Sequence, residues 1–184
     1  MSASYPDRYQ KSSSANPADV ETTCSTYGLT KAEFEQLHKG SVAAKATAYC
    51  PYSQFRVGST ILAADGAFIS GANVENAAYP VGTCAERVAF GKAVTEGHKG
   101  FRAVAVATDI APPASPCGMC RQFIREFCDL KTPIIMFDKN GDYLVQKLEE
   151  LTRVSLTAFA AFVRPRSTTT TWPPRGGVCI GHRI

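Results

Sequence analysis

The sequence has no hydrophobic run that approaches the roughly 20 residues needed to cross a membrane. Its first residues are polar and contain no apolar core of the kind that a signal peptide requires. Histidine is scarce as well, and His38, His98 and His182 lie at no spacing from a cysteine that is typical of metal ligands. The lack of a membrane-spanning run and of a signal-peptide core predicts a cytoplasmic chain that does not act at a membrane.

Acidic residues are missing from one end of the chain. Residues 152–184 contain five arginines and no Asp or Glu, whereas the whole chain has 20 basic and 16 acidic residues. Without that segment, 15 basic residues face the same 16 acidic ones, so the rest of the chain is nearly neutral despite the net charge of +4. A nearly neutral body argues against a broad phosphate-binding surface, and therefore against a nucleic-acid partner.

The chain has seven cysteines, and this odd number fits a reducing compartment better than a disulfide framework. Three of them lie in two short motifs about thirty residues apart. Each motif is followed by apolar residues at the helical period, which predicts that each lies at a helix start. The motifs are Cys84-Ala85-Glu86 and Pro116-Cys117-Gly118-Met119-Cys120.

Thiols at helix starts favour a metal site. Ser115 as N-cap and Pro116 as first helical residue would place Cys117 and Cys120 on one face of the first turn. The positive end of a helix favours thiolate over thiol. Three thiolates leave one corner of a tetrahedral zinc ion open, which is typical of catalytic sites. Glu86 follows Cys84 too closely to be an efficient fourth ligand, but it can exchange protons with a water on the metal.

Each motif taken alone has a simpler interpretation. Thr83 and Glu86 have the spacing of a helix capping box, and for that pattern alone the cap is favoured. A single C-x-x-C is commonly a redox pair or half of a structural zinc ribbon. A structural zinc site needs a fourth Cys or His, however, and no other Cys or His has ligand spacing. The combination of C-x-E with a later P-C-x-x-C is rarer than its parts.

The combination resembles zinc-dependent deaminases of the cytidine and deoxycytidylate deaminase superfamily. Within it, the chain is most similar to the small, homotetrameric cytidine deaminases of pyrimidine salvage. The resemblance runs from about Tyr49 to Leu151 and includes, besides the cysteine motifs, Tyr49-Cys50-Pro51-Tyr52-Ser53, Phe55-Arg56-Val57-Gly58, Asn73-Val74-Glu75-Asn76-Ala77 and Tyr79-Pro80. It implies hydrolytic deamination of cytidine and 2′-deoxycytidine to uridine and 2′-deoxyuridine, with release of ammonia.

The resemblance also implies the metal chemistry. Cys84, Cys117 and Cys120 would hold one Zn²⁺ per subunit, and the zinc would activate a water molecule. Glu86 would take a proton from that water, protonate N3 of the base, and pass a proton to the leaving amine. Arg87 would donate hydrogen bonds to the cysteine sulfurs and offset part of their negative charge.

Seven substrate-binding residues follow from the resemblance, three of them supplied across a subunit interface of the homotetramer. Phe55 would pack on the pyrimidine ring, Asn73 and Glu75 would bind the ribose hydroxyls, the Ala85 backbone N–H would bind the base carbonyl, and Tyr52, Ala77 and Tyr79 would come from the neighbouring subunit.

The hydrophobic pattern predicts the element order α-β-β-α-β-α-β-β-α, and so an α/β fold with three layers and a mixed five-stranded sheet between helices. The predicted strands cover residues 55–63, 67–72, 101–108, 134–137 and 143–146. A capping box at Thr30 and Glu33 begins the first helix, which Gly40 and Ser41 interrupt.

The composition divides the chain into three predicted segments. Residues 1–28 form a flexible N-terminal arm, residues 29–151 the catalytic domain, and residues 152–184 an atypical basic tail. The tail does not match the segment with which the family usually continues, although Phe159 or Phe162 could replace its aromatic residue.

Three alternatives stay open. The first is a deaminase for another small substrate, such as an aminopyrimidine nucleoside antibiotic, although Phe55, Asn73 and Glu75 speak against it. The second is a polynucleotide-editing deaminase, which usually has His in place of Cys84 and a more basic surface. The third is a structural zinc module without catalytic activity.

Overall fold

The structure is a computed structural model that describes residues 11–152, so the predictions for the tail lie almost entirely outside the described residues. The strands are β1 (Ser12–Ser13), β2 (Val57–Ala63), β3 (Phe68–Ala72), β4 (Phe101–Thr108), β5 (Pro133–Phe137) and β6 (Asp142–Lys147). The α-helices are α1 (Pro17–Tyr27), α2 (Lys31–Ala44), α3 (Ala85–Thr95), α4 (Gly118–Phe127) and α5 (Leu148–Thr152). None of these helices has the length and hydrophobicity to span a membrane.

The strands form one mixed sheet with the order β1-β6-β5-β4-β2-β3. Only the β4–β5 pair is parallel, and every other neighbouring pair is antiparallel. The predicted mixed sheet is therefore confirmed, with six strands instead of five. The additional strand, β1, pairs through Ser12 and Ser13 with the first two residues of β6, Tyr143 and Asp142. A two-residue strand is too short to show the alternating pattern from which strands are predicted.

Alternate residues of β4 face opposite sides of the sheet and belong to two separate cores. Val104 and Val106 pack in the core formed with α3, α4 and α5. Ala103, Ala105 and Ala107 pack in the core formed with α1 and α2. Helices thus cover both faces, which confirms the predicted three-layer α/β/α architecture.

Helix α2 begins at the predicted capping box. The Glu33 N–H donates to Thr30 Oγ1 at 3.1 Å, and the Thr30 N–H donates to Glu33 Oε2 at 2.8 Å. The predicted interruption at Gly40 and Ser41 is wrong, because the helix continues to Ala44. Gly40 serves a close contact instead, since a Cβ there would lie 2.8 Å from Thr60 Oγ1.

The prediction of an irregular N-terminal arm is wrong for α1. Asn16 caps this helix by accepting from the Ala18 N–H, Pro17 is its first residue, and Gly28 ends it in the left-handed conformation. Thr23 faces the protein interior and its hydroxyl lies 2.8 Å from the Tyr143 hydroxyl. The helix has few apolar residues, so its hydrophobic periodicity is too weak to predict it. The Asn-Pro start and the Gly end are boundary signals from which it could have been predicted. The boundaries at residues 29 and 151 remain predictions.

Gly71 of β3 sets how closely α3 approaches the sheet. A Cβ at Gly71 would lie 2.5 Å from the Ala89 backbone nitrogen and 2.9 Å from the Ala85 carbonyl oxygen. We expect Gly71→Ala to lower the free energy of unfolding by about 1–3 kcal/mol, because the helix backbone must move away. Chemical denaturation measures this change.

Gly91 of α3 provides the matched control, because a Cβ there meets no atom within 4 Å. Alanine in a helix interior is favoured over glycine by about 0.5–1 kcal/mol, so Gly91→Ala should be as stable as the parent or more stable. A Gly71→Ala protein that unfolds at the same denaturant concentration as the parent would contradict this account of how α3 docks.

Candidate active site

Two of the predicted metal ligands are the N-cap residues of two helices. Cys84 precedes α3 with φ −69° and ψ 156°, and Cys117 precedes α4 with φ −66° and ψ 166°. Neither side chain accepts a hydrogen bond from its own helix. An N-cap is usually an oxygen-bearing side chain that does so. Both sulfurs therefore remain available to an ion at the positive end of a helix.

The predicted start of α4 is two residues too early. Ser115 does not cap the helix, and its hydroxyl accepts a hydrogen bond from Arg121 Nη2 at 3.0 Å. Pro116 precedes the N-cap Cys117, and helical geometry begins at Gly118. Cys117 therefore lies just outside the helix, and only Cys120 lies within its first turn.

The third thiol, Cys120, completes a compact group. Cys84 Sγ lies 3.8 Å from Cys117 Sγ, which lies 3.4 Å from Cys120 Sγ. All three sulfurs fall within 4.8 Å of one another, and within residues 11–152 no His, Asp or Glu joins the group. Two thiolates bound at about 2.3 Å to a tetrahedral zinc ion lie about 3.8 Å apart. The sulfur spacing therefore fits a zinc ion with three protein ligands.

The pKa values of the Cys84 and Cys120 thiols are shifted in opposite directions. Hydrogen bonding from Cys120, and then from Arg87, lowers the pKa of Cys84 to about 5, against the opposing effect of burial. The pKa of Cys120 is raised by its hydrogen bond to Cys84 and by its burial. Cys84 therefore loses its proton more readily than Cys120. A ligand that is already ionised binds a metal without first losing a proton.

Glu86 is a buried carboxyl group at the second position of α3, with 3% of its surface exposed. Burial chiefly, and then the nearby charge of Cys84, raises its pKa. The capping-box interpretation of Thr83 and Glu86 does not hold, because Cys84 is the N-cap and no side chain caps the helix. A carboxyl group with a raised pKa beside a metal site can both accept and donate protons near neutral pH.

Arg87 lies against the cysteine group. Its Nη2 donates to the Gly82 carbonyl oxygen at 2.9 Å, and the interactions of its guanidinium with the sulfurs of Cys84 and Cys120 raise the pKa of Arg87 against the effect of burial. Its Nε is buried without a hydrogen-bond partner among residues 11–152. A cation at this position can offset part of the negative charge on the sulfurs.

A cavity of about 450 Å³ brings the metal residues and three predicted substrate residues together. Its lining includes Cys84, Glu86 and Cys117 as well as Phe55, Asn73 and Glu75. The other lining residues are Ser53, Val57, Val106, Thr108, Ala114 and Ser115. Cavities of this size hold small organic ligands.

Asn73 holds the backbone on both sides of Arg56. Its Oδ1 accepts from the Val57 N–H, and its Nδ2 donates to the Phe55 carbonyl oxygen, both at 2.9 Å. These bonds fix the segment that carries the half-buried Phe55 at the cavity wall. The Oδ1 atom of Asn73 can accept a second hydrogen bond and its Nδ2 can donate a second one, so both atoms keep capacity for a ligand.

Glu75 organises the turn before Phe55. Its Oε2 accepts from the backbone N–H groups of Tyr52 at 3.0 Å and Ser53 at 3.2 Å, and its Oε1 accepts from the Ser53 hydroxyl. The Ser53 hydroxyl, chiefly, lowers the pKa of Glu75. The carboxylate thus stays charged while it shapes the loop.

Four of the seven predicted substrate residues, Tyr52, Ala77, Tyr79 and Ala85, do not line this cavity within one chain. Tyr52 and Tyr79 are 47% and 75% exposed, and their ring centroids lie 6.2 Å apart. They line a neighbouring depression of about 190 Å³ together with Glu75. Ala77 is exposed on the same loop. Ala85 is fully buried as the first residue of α3, where backbone N–H groups have no partner within the helix.

Residues 31–136 match the model of the cytidine and deoxycytidylate deaminase zinc-binding region, and this match covers more than half of the chain. The chain belongs to the cytidine and deoxycytidylate deaminase family. The matched residues include all three thiols, Glu86 and the residues that line the cavity.

Named members of the deaminase family resemble the chain over most of their own length. A cytidine deaminase from Sporosarcina psychrophila is 47% identical over 110 residues, which cover 60% of this chain and 81% of that protein. A cytidine deaminase from Halalkalibacterium halodurans is 41% identical over 124 residues, which cover 67% and 94%. The crystal structure of cytidine deaminase from Burkholderia pseudomallei matches with a TM-score of 0.62 at 36% identity, covering 64% of this chain and 94% of that one.

One residue of this deaminase site was left out of the sequence prediction. Arg121 donates from Nε to the Pro116 carbonyl oxygen at 2.7 Å, immediately before the ligand Cys117. Its position one turn after an N-cap cysteine is the signal that could have identified it, because side chains on a helix point back toward its N-terminus.

Proposed function

We propose that this chain catalyses the hydrolytic deamination of cytidine and 2′-deoxycytidine to the uridines, with release of ammonia. The observation that carries the proposal is a group of three thiols, two of which line one cavity together with the buried Glu86 and Phe55. The named relatives support it, because all three are cytidine deaminases.

Cys84, Cys117 and Cys120 would hold one zinc ion per subunit, as the spacing of their sulfurs allows. Zinc bound by three protein ligands lowers the pKa of a water molecule at its open position. Three thiolates give this site a formal negative charge that opposes ionisation of the water. Arg87 and the two helix N-termini offset part of that charge.

Glu86 would carry the protons. Its carboxylate would take a proton from the attacking water and give it to N3 of the base as the water oxygen bonds to C4. It would then carry the remaining proton of that oxygen to the amine, so that the C4–N bond breaks, ammonia leaves and the C4 carbonyl of the uridine forms. The raised pKa of Glu86 suits this double task, because each protonation state must be accessible near neutral pH.

The remaining cavity residues would bind the nucleoside. Phe55 packs on the pyrimidine ring, and the Ala85 N–H at the start of α3 binds the base carbonyl. Asn73 and Glu75 bind the ribose hydroxyls with the capacity that their backbone contacts leave free. A free base should be rejected, because these polar groups would then lose their partners.

Glu75→Ala should raise KM for cytidine about 10-fold or more, because a charged hydrogen-bond acceptor is lost at the ribose. Its zinc content should stay at that of the parent, since Glu75 does not touch the thiols. Steady-state kinetics and metal analysis measure the two quantities.

Ser53→Ala is the control for Glu75→Ala, because it removes the hydroxyl that Glu75 binds in the turn but keeps the carboxylate. A smaller rise in KM is expected from it. Equal KM values for Glu75→Ala and the parent would remove Glu75 from the substrate site.

The assembly belongs to the same proposal: a homotetramer in which Tyr52, Ala77 and Tyr79 complete the site of a neighbouring subunit. The support is the exposure of large apolar and aromatic side chains near the cavity, including Tyr79 at 75%, Val81 at 65% and Met119 at 60%. Such residues are enriched where protein surfaces meet. The molar mass in solution tests the tetramer.

The six cysteines within residues 11–152 are all free, which supports a reducing, cytoplasmic location.

Purified protein should deaminate cytidine and 2′-deoxycytidine, but not free cytosine or cytosine in a single-stranded oligonucleotide. Turnover of the oligonucleotide in preference to the nucleosides would favour a polynucleotide-editing enzyme, and bound zinc without any turnover would favour a structural module.

A further inference from the structure

The side chain of Arg121 in α4 binds Ser115 and Pro116, which precede the metal ligand Cys117, and Leu151 in α5. It follows Cys120 directly and lies one helical turn after Cys117. Its Nε donates to the Pro116 carbonyl oxygen at 2.7 Å, and its Nη2 donates to Ser115 Oγ at 3.0 Å. Its Nη1 donates to the Leu151 carbonyl oxygen in α5 at 2.8 Å. The planar guanidinium thus uses all three of its nitrogens on separate acceptors.

Arg87 makes the same type of contact on the other metal helix. Each arginine donates to a carbonyl oxygen five residues earlier in the chain, Arg87 to Gly82 and Arg121 to Pro116. That carbonyl lies two residues before the N-cap Cys84 in the first case and one residue before the N-cap Cys117 in the second, and neither cysteine side chain makes a capping bond. The approach to each thiol is therefore held by an arginine, in place of a side-chain cap.

The two arginines differ in what else they touch. The charge of Arg87 also interacts with the sulfurs of Cys84 and Cys120, as the lowered pKa of Cys84 and the raised pKa of Arg87 indicate. The hydrogen bonds of the Arg121 guanidinium go to oxygen atoms of Ser115, Pro116 and Leu151. Arg121 therefore acts on the position of the chain and not on the sulfurs.

The segment that Arg121 holds has little regular structure of its own. Residues 111–116 contain three prolines and no helix or strand, and they lead directly to Cys117. Ala114, Ser115 and Cys117 also form one wall of the cavity. A displacement of this segment would move a metal ligand and a wall of the substrate pocket together.

We propose that Arg121 is a positioning residue, which fixes Cys117 for zinc binding by tying the Ser115–Pro116 approach to α5. The inference rests on the zinc site of the proposed function. Its consequence is that zinc retention depends on Leu151 in α5, which is not one of the metal ligands. A lysine at position 121 keeps the charge but cannot reach three acceptors in one plane.

The test compares zinc affinity in Arg121→Gln, Arg121→Lys and the parent, each as zinc-loaded full-length protein competing with a chelator of known affinity. Arg121→Gln should bind zinc about 10- to 100-fold more weakly, the range for loss of a contact that orients a metal ligand. Arg121→Lys should lie between Arg121→Gln and the parent. KM for cytidine should rise in Arg121→Gln as well, because the pocket wall loosens.

Arg125→Gln is the matched control. Arg125 lies one turn further along α4 and donates from Nη1 to the Cys128 carbonyl oxygen at 3.1 Å, at the opposite end of the helix from the thiols. Its zinc affinity should stay within about twofold of the parent, while thermal unfolding shows whether the two glutamine variants lose similar stability. A general loss of stability would weaken zinc binding equally in both variants.

Equal zinc affinity in Arg121→Gln and Arg125→Gln would overturn this role for Arg121. The zinc-affinity measurement does not depend on turnover. A parent protein that binds zinc without deaminating cytidine would overturn the proposed reaction, and the zinc affinities of the variants would still decide the positioning role of Arg121. A parent that binds no zinc would overturn both.

Discussion

Glu86→Gln is expected to lower kcat for cytidine by a factor of about 10²–10⁴, while zinc content and fold stay unchanged. Glutamine has nearly the shape of glutamate, so it fits the buried position, but its amide can neither accept nor donate a proton in the way the reaction needs. Because burial already raises the pKa of Glu86, a neutral side chain there should not destabilise the fold. Steady-state kinetics, metal analysis and circular dichroism measure the three quantities.

Glu96→Gln is the control for this variant. Glu96 is the C-cap of α3, at the far end from the thiols, and its side chain is 47% exposed. It should retain the kinetics of the parent. Full activity in Glu86→Gln would show that another group moves the protons, and the catalytic assignment would then be wrong.

Cys120→Ser is expected to abolish zinc binding and turnover together. Cys120 is fully buried and lies in contact with Cys117, so no alternative side chain can take its place without rearrangement. Serine has a similar size, but its hydroxyl does not ionise near neutral pH and does not replace a soft thiolate ligand. Zinc quantification on the purified variant, alongside a cytidine assay, measures the effect.

Cys50→Ser is the control for loss of a thiol. Cys50 is partly exposed and does not belong to the group of three sulfurs. It should therefore retain zinc and activity. A Cys120→Ser protein that binds zinc as the parent does would show that the metal is held by other residues.

The sequence predicts most accurately the elements that strong local signals define. β4 occupies the predicted residues, Phe101–Thr108, because an apolar run broken only by Arg102 lies between Gly100 and a proline-rich segment. The capping box of α2 is confirmed for the same reason, since both partners lie three residues apart. The irregular boundaries were less accurate: α4 begins after Cys117, and the Ser115 hydroxyl that was predicted to cap it accepts a hydrogen bond from Arg121 instead.

The contacts that shape the site could not be predicted from sequence patterns. Asn73 holds the backbone around Phe55, and Glu75 holds the turn at Tyr52, across separations of 18 and 23 residues. Bonds between a side chain and a distant backbone leave no period and no fixed spacing in the sequence. The resemblance located these residues, but the structure shows that they also build the pocket in which they are proposed to act.

The zinc site combines features that individually have other uses. An N-cap thiol, a buried carboxyl group and a nearby arginine each occur without catalysis. Here Cys84, Glu86 and Arg87 lie within one turn of α3, and α4 brings Cys117 and Cys120 to the same point. The α3 start supplies the thiolate with the lowered pKa and the carboxyl group with the raised pKa, which are opposite shifts on adjacent groups. Such divergence is typical of groups with different chemical tasks.

The most direct measurement is a zinc titration of metal-free protein with continuous assay of cytidine deamination. Turnover should be absent at first, rise in proportion to added zinc, and level off at one zinc ion per chain. Turnover that persists in the metal-free protein, or that stays absent with one zinc ion bound per chain, would contradict the assignment of a zinc-dependent cytidine deaminase.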